Sequence, residues 1–176
     1  MTRLLQRLAG LLACLCLSAC LTLGPRPEPV TRPPLESITG FSLTGRLSIR
    51  QEGKSYHVGI QWQHDADHDS IFLTGPLGQG LAELESDARG ARLTTSDQKT
   101  ATAATADELA RELLGFDLPL SALPAWVLGR PQTVAEWQVN VLRRESDADD
   151  ALPALLELKW GEDLNVRLKI DEWQIP

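Results

Sequence analysis

Between Phe41 and Trp62 apolar and polar residues alternate with a period of two, a pattern that only a strand keeps on one face. Phe41, Leu43, Leu47 and Ile49 fall on one side, and Ser42, Thr44, Arg46, Ser48 and Arg50 on the other. After a turn at Gln51-Glu52-Gly53 the alternation resumes, with Tyr56, Val58, Ile60 and Trp62 set against Ser55, His57, Gln61 and Gln63. A hairpin with one apolar and one wet face is not stable alone, so the rest of the chain must extend it and cover it.

The remaining segments fit that demand. Ser70–Thr74 and Leu81–Ser86 read as further strands around the turns HDADHDS and LTGPLGQG, and weaker strands are expected near Ala91–Thr95 and Lys99–Ala103. The period then changes. Thr105-Ala-Asp-Glu108 has the form of a capping box, Leu109, Leu113 and Leu114 follow at helical spacing, and Gly115 is placed to end the helix. A second short helix is expected in Ser121–Leu128, with Leu123, Trp126 and Val127 as its apolar side, before Gly129 and Pro131. Strands return at Trp137, Val139 and Val141 and at Leu156, Leu158 and Trp160. A turn at Gly161-Glu162-Asp163 leads into Leu164, Val166, Leu168 and Ile170. The expected fold is mainly β with short helices: one strongly curved antiparallel sheet with the helices laid across its concave face.

The ends carry a different signal. Arg3 and Arg7 precede a short apolar run, Leu8–Leu17, too short to stay in a bilayer, so residues 1–19 read as a removed signal peptide. It closes on Leu17-Ser18-Ala19-Cys20, which resembles the bacterial lipobox, whose cysteine becomes the acylated first residue. Cys14 and Cys16 leave with the signal, so Cys20 remains alone and no disulfide can staple the monomer. From Leu21 to Glu36 stand Pro25, Pro27, Pro29, Pro33 and Pro34. Residues 20–36 therefore read as a lipidated cysteine on an extended tether able to hold a domain up to about 50 Å from the lipid. Residues 37–176 remain for one domain.

Cleavage leaves 15 basic against 24 acidic residues, a net charge of −9. No basic stripe survives, which argues against nucleic acid, and contact with an anionic membrane is expected to be hydrophobic or covalent. Local patterns that look chemical fail on their spacing. Gly53-Lys54-Ser55 lacks the glycine that a phosphate loop needs at position 48, which is serine. Asp65, Asp67 and Asp69 begin like a calcium loop, but Ser70 and Pro76 stand where Gly and Glu are required. His64 and His68, with His57, do not complete a metal set, and Asp147, Asp149 and Asp150 read as a solvated loop. No G-x-S-x-G and no free cysteine nucleophile is present, so neither an enzyme nor a cofactor is expected.

One loop does not fit a bland surface. In LTGPLGQG, Pro76 and Gly78 enclose Leu77, an apolar side chain where a turn ordinarily places Ser, Asn or Asp. Leu77 either folds back on its hairpin or stands out as a hydrophobic finger. Exposing it costs about 2 kcal/mol, which a folded domain can carry.

Three segments together resemble a known family. They are FSLTGRLSIRQEGKSYHVGIQWQH, IFLTGPLGQGLAEL and GFDLPLSALPAWVLGRPQ, joined by the lipobox and the closing RLKIDEW. They are similar to the LolB family of outer-membrane lipoproteins, and LPLSALPAWVLGRP is the most specific part. The resemblance implies an open antiparallel β-barrel of the LolA/LolB kind whose hydrophobic cavity is covered by a helical lid. The family pattern carries a longer segment between Pro131 and the Trp137 strand, where this chain has five residues. A sheet smaller by a strand or so is therefore implied.

The resemblance also implies a role. One 16-carbon chain exposed to water costs on the order of 12 kcal/mol, so lipoproteins need shelter while crossing the periplasm. A LolB-like acceptor would receive them from the periplasmic carrier LolA and insert them into the outer membrane. Without a nucleotide motif, transfer must run downhill. The implied acyl-chain cavity would be walled by Leu43, Leu47, Ile49, Val58, Ile60, Trp62, Leu73, Val139, Val141, Leu156, Leu158, Val166 and Leu168. Leu109, Leu113, Leu123, Trp126 and Val127 would form the lid. Pro76, Leu77 and Gly78 would form the membrane-insertion loop. Leu21, not Asp, follows Cys20, which with the resemblance implies a monomer anchored in the outer membrane and facing the periplasm. Two alternatives stay open: a lipid-anchored scaffold with a filled core, and a LolA-like soluble carrier.

Overall fold

Alternation on this scale produces nine strands and two helices in a computed structural model that describes residues 33–130, 134, 136–148 and 150–176. Cys20, the tether through Arg32, Pro131 and Asp149 lie outside the described residues. The strands are β1 (Phe41–Gln51), β2 (Lys54–Asp65), β3 (His68–Thr74), β4 (Gly80–Asp87), β5 (Gly90–Thr95), β6 (Thr100–Ala103), β7 (Trp137–Arg144), β8 (Pro153–Trp160) and β9 (Leu164–Gln174). Helix α1 (Ala106–Leu114) and helix α2 (Leu123–Val127) fall between β6 and β7. All neighbours are antiparallel in the order β6-β5-β4-β3-β2-β1-β9-β8-β7, and the edge strands β6 and β7 do not pair, so the sheet stays open.

Register turns the separate stripes into continuous rows. Trp173, Leu43, Trp62, Ile71, Leu84 and Leu93 are successive cross-strand partners from β9 to β5. Val141, Leu156, Leu168, Leu47 and Val58 form a second row from β7 to β2. Directly opposed apolar pairs are the unit that stabilises a sheet. Phe41 packs against two members of the first row, its ring centroid 5.0 Å from Trp62 and 5.4 Å from Trp173. Three indole N–H groups are satisfied as burial demands: Trp62 donates to Asp69, Trp137 to the Asp117 carbonyl and Trp173 to the Pro153 carbonyl.

Helix α1 starts and stops as its sequence specifies. The Thr105 hydroxyl accepts from the Glu108 N–H at 3.1 Å, and Gly115 closes the helix in the left-handed region. Other expectations need adjustment. HDADHDS is not a seven-residue turn: β2 and β3 run into it and leave only Ala66 and Asp67 between them. The reason is Asp69, which is drawn into strand register opposite His64. Leu35–Ser37, within the stretch read as tether, forms a turn of 3-10 helix, and Leu35 packs against the core. The expected second helix begins with a 3-10 turn, Leu120–Ala122.

On the outer face Glu157 is buried beside Leu156 and Leu158. Its carboxylate accepts from Arg167 (Nε 3.0 Å, Nη2 2.9 Å) and Asn165 (3.0 Å), and Lys159 lies 3.1 Å away. These bonds, Asn165's first, hold its pKa down to about 2 from 4.5. Glu157→Gln is expected to lower stability at pH 7 by about 1–3 kcal/mol. A depressed carboxyl stabilises above its unfolded pKa and stops doing so once the folded form is protonated. The two proteins' urea midpoints should therefore converge as pH falls from about 4.5 to about 2.

Candidate functional site

The β3–β4 hairpin presents its apolar residue by construction. Thr74 and Gly80 are cross-strand partners, and the five residues between them close through Gly75 N–H to Gln79 C=O (2.8 Å) and Gly78 N–H to Gly75 C=O (2.9 Å). Gly78 has φ 81°, a left-handed conformation that side-chain-bearing residues rarely adopt. The Gln79 side chain accepts from the Leu77 N–H at 3.2 Å. With its backbone pinned, Leu77 points outward and is 93% exposed. Pro76 and Gly78 flank it, also exposed. Of the two readings open from sequence, folding back onto the hairpin is not what the loop does. Among the described residues no helix is long and apolar enough to cross a membrane.

The concave face divides into a filled and an unfilled part. Leu43, Ile60, Trp62, Trp126, Val127, Leu156, Leu158 and Leu168 are buried in one cluster, and Leu47, Ile49, Leu73, Leu123, Val139, Val141 and Val166 pack against it. Val58 is half-buried outside that cluster. Helix α1 packs against β5, β6 and the 3-10 turn before α2. That contact buries Leu109 and Ala110 but leaves Leu113 and Leu114 48% and 47% exposed. Leu113, expected in the lid, is thus half-exposed, while Leu109 of the same stripe is buried.

Between the start of α1 and the sheet lies a half-open void of about 500 Å³, walled by Trp62, Ile71, Leu84, Ala88, Ala104, Ala106 and Leu120, with Asp69, Ser86, Asp87, Thr105, Asp107 and Ser121 as its polar lining. Its size falls within the ordinary range of ligand sites. The edge is rigid. Asp107 accepts from both the N–H (2.9 Å) and the hydroxyl (2.7 Å) of Ser121, joining the start of α1 to the 3-10 turn. Asp69 takes the Trp62 indole N–H at 2.8 Å and lies 2.8 Å from His64 Nδ1. His64 is therefore committed to a carboxylate. Among the residues named for the cavity from sequence, Trp62 alone stands on this wall. Ile71 and Leu84 were missed, although they continue the inward parity of Leu73 and Ala82 along their own strands.

Comparison with known proteins bears on the whole domain. Residues 39–173 match the family model described as outer membrane lipoprotein LolB. The chain is 36% identical over 154 residues to the outer-membrane lipoprotein LolB of Nitrosomonas europaea, covering 76% of this chain and 72% of that one. It is 34% identical over 191 residues to the LolB of an Azoarcus species, covering 97% of each. Among solved structures, a LolA superfamily protein of Nitrosomonas europaea aligns with a TM-score of 0.39 and 8% identity, over 77% of this chain and 86% of that one. A match that runs from just before β1 to Trp173, with relatives above 30% identity across most of their length, leaves one assignment: this chain belongs to the LolB family of outer membrane lipoproteins.

Proposed function

We propose that the protein accepts lipoproteins from a LolA-type carrier, shelters their acyl chains on the concave face of the sheet, and passes them into the outer membrane through the Leu77 loop. Residues 1–19 are the signal, Cys20 carries the lipid that anchors the protein on the periplasmic side, and the domain follows the tether. The observation that carries this reading is Leu77: a large apolar side chain held out in water by a loop whose hydrogen bonds fix its shape. Such a group stabilises nothing in the isolated domain and gains about 2 kcal/mol when it enters an apolar phase.

The void under α1 supports acceptance. It lies beside the tight aromatic core, where Ile71 and Leu84 still lack full cover. A scaffold reading draws on the opposite fact, that most of the concave face is filled. Saturable uptake of a fluorescent fatty acid decides between them. The protein should bind the probe, and Leu84→Trp, which fills the void, should weaken binding at least tenfold. Its thermal midpoint should stay within a few degrees. No saturable binding in the unaltered protein, or equal binding in the variant, rejects the void as the acceptor site.

A further inference from the structure

The outer face of the sheet is divided by charge into two halves. Direct cross-strand partners share a face, so register shows which side chains oppose the buried Leu156 and Leu168. One outer row, running from β7 through β8, β9, β1 and β2 to Thr74 of β3, carries Arg143, Lys169 and Arg46. The two rows beside it carry Glu157 and Arg167, then Lys159 and Arg50. With Asp171, which is skipped where β1 and β9 shift register, this half holds six cations and two carboxylates. Past that shift the sign reverses. The rows through Thr44 and Ser42 carry Glu172, Glu83 and Glu85 against Arg92. Beyond the last basic row the turns place Glu52, Glu162 and Asp163 with Lys54, so the excess of cations belongs to the face and not to the end of the sheet.

The two carboxylates do not cancel that excess. Glu157 is shared by Arg167 and Lys159, and Asp171 by Arg46 and Lys169. The four cations in these pairs keep between 43% and 64% of their side chains exposed. Arg50 and Arg143 are exposed and have no carboxylate partner among the described residues. The six lie on four strands, so only register gathers them. The chain's acidic balance does not decide what this face meets, because charges more than about 8 Å away are largely screened at physiological ionic strength.

We propose that this half of the outer face docks on anionic phospholipid headgroups and holds the domain at the bilayer while Leu77 enters it. This rests on the reading of Leu77 as the insertion finger. The Leu77 loop leaves β3 at Thr74, in the row of Arg46 and two strands from it, a separation of about 10 Å. From there it runs the way Ser48 and Arg50 lie along β1, so the finger stands beside the basic half and not the acidic one. Cations spread over four neighbouring strands cover about 15 Å, which suits a plane of phosphates better than a single bound anion. Each cation brought to an anionic surface strengthens attachment about fivefold.

The test measures how residues 20–176 carrying Cys20→Ser, a chain that no lipid can anchor, bind two kinds of vesicle. Both are phosphatidylethanolamine, with about a quarter of either phosphatidylglycerol or phosphatidylcholine. The anionic vesicles should bind about tenfold or more tightly, and the difference should vanish as salt rises from about 0.05 M to about 0.5 M. Arg50→Ser with Arg143→Ser should weaken binding to the anionic vesicles about twentyfold and leave the neutral ones unaffected. Arg89→Ser with Arg92→Ser makes the same change in net charge on the other half and its turn, and should stay within about twofold. Equal binding to both vesicles overturns the proposal, and so does an equal loss in the two double variants. A loss that appears only in binding to the carrier overturns it in favour of an acidic protein surface. Leu77→Glu should weaken binding to both vesicles and preserve their ratio. Normal binding by that variant overturns the finger, whereas a missing ratio in the unaltered chain overturns the headgroup face alone.

Discussion

Leu77→Glu is expected to fold, to take up acyl chains normally, and to deliver lipoproteins into vesicles at least tenfold more slowly than the unaltered protein. Folding is spared because the side chain is 93% exposed and the loop's shape rests on backbone bonds and on Gln79. Uptake is spared because the void lies toward the other end of β3, beside Asp69 and Ile71. Delivery suffers twice. The variant loses about 2 kcal/mol of apolar transfer, and a carboxylate must enter a region that disfavours charge. Even the first term alone corresponds to roughly thirtyfold. Leu77→Phe keeps the apolar transfer and should deliver within threefold of the unaltered protein. A Glu variant that inserts lipoproteins at the normal rate would remove Leu77 from the mechanism and leave the membrane step unexplained.

How much of this was legible beforehand depends on the range of each interaction. Thr105, Glu108 and Gly115 act within one helical turn, so the start and end of α1 follow from four or five neighbouring letters. The hairpin around Gly161 is as local, and the same turn sets Glu157 opposite Arg167. Parity along β1 and β2 assigns Leu43 and Trp62 to one face without any tertiary knowledge. The void is different in kind. Whether Ile71 and Leu84 meet a helix or open space depends on where α1 settles over β5 and β6, some twenty residues further along the chain. Asp69 likewise looked like one acid in a solvated run. Its partners, Trp62 and His64, lie across the strand pair, and they pull it out of the turn. The Leu77 loop was conspicuous as an anomaly of composition, but its orientation needed the hydrogen bonds of Gly75, Gly78 and Gln79.

The same distinction between filled and open parts gives the largest effect on stability. Trp126 on α2 falls by its spacing on the apolar side of the helix, and the family resemblance implies for it a place in a lid, where a side chain should be replaceable without unfolding the domain. The structure buries it completely, with its ring centroid 5.9 Å from Trp137, in the cluster that also holds Leu128, Leu152 and Leu156. Trp126→Ala is therefore expected to cost about 3–5 kcal/mol, the range for removing a large aromatic side chain from a packed core. For a domain of this size that lowers the thermal midpoint by about 10–15 °C and consumes a third or more of a typical total stability. The comparison that gives this meaning is with Leu84→Trp. One change opens a cavity in the filled part and should unfold the protein early while fatty-acid affinity measured below the midpoint stays near normal. The other fills the void and should weaken uptake at least tenfold while the midpoint stays within a few degrees. If Trp126→Ala instead kept its stability and lost uptake, α2 would be a lid after all, and the concave face would bind lipid along its whole length instead of under α1.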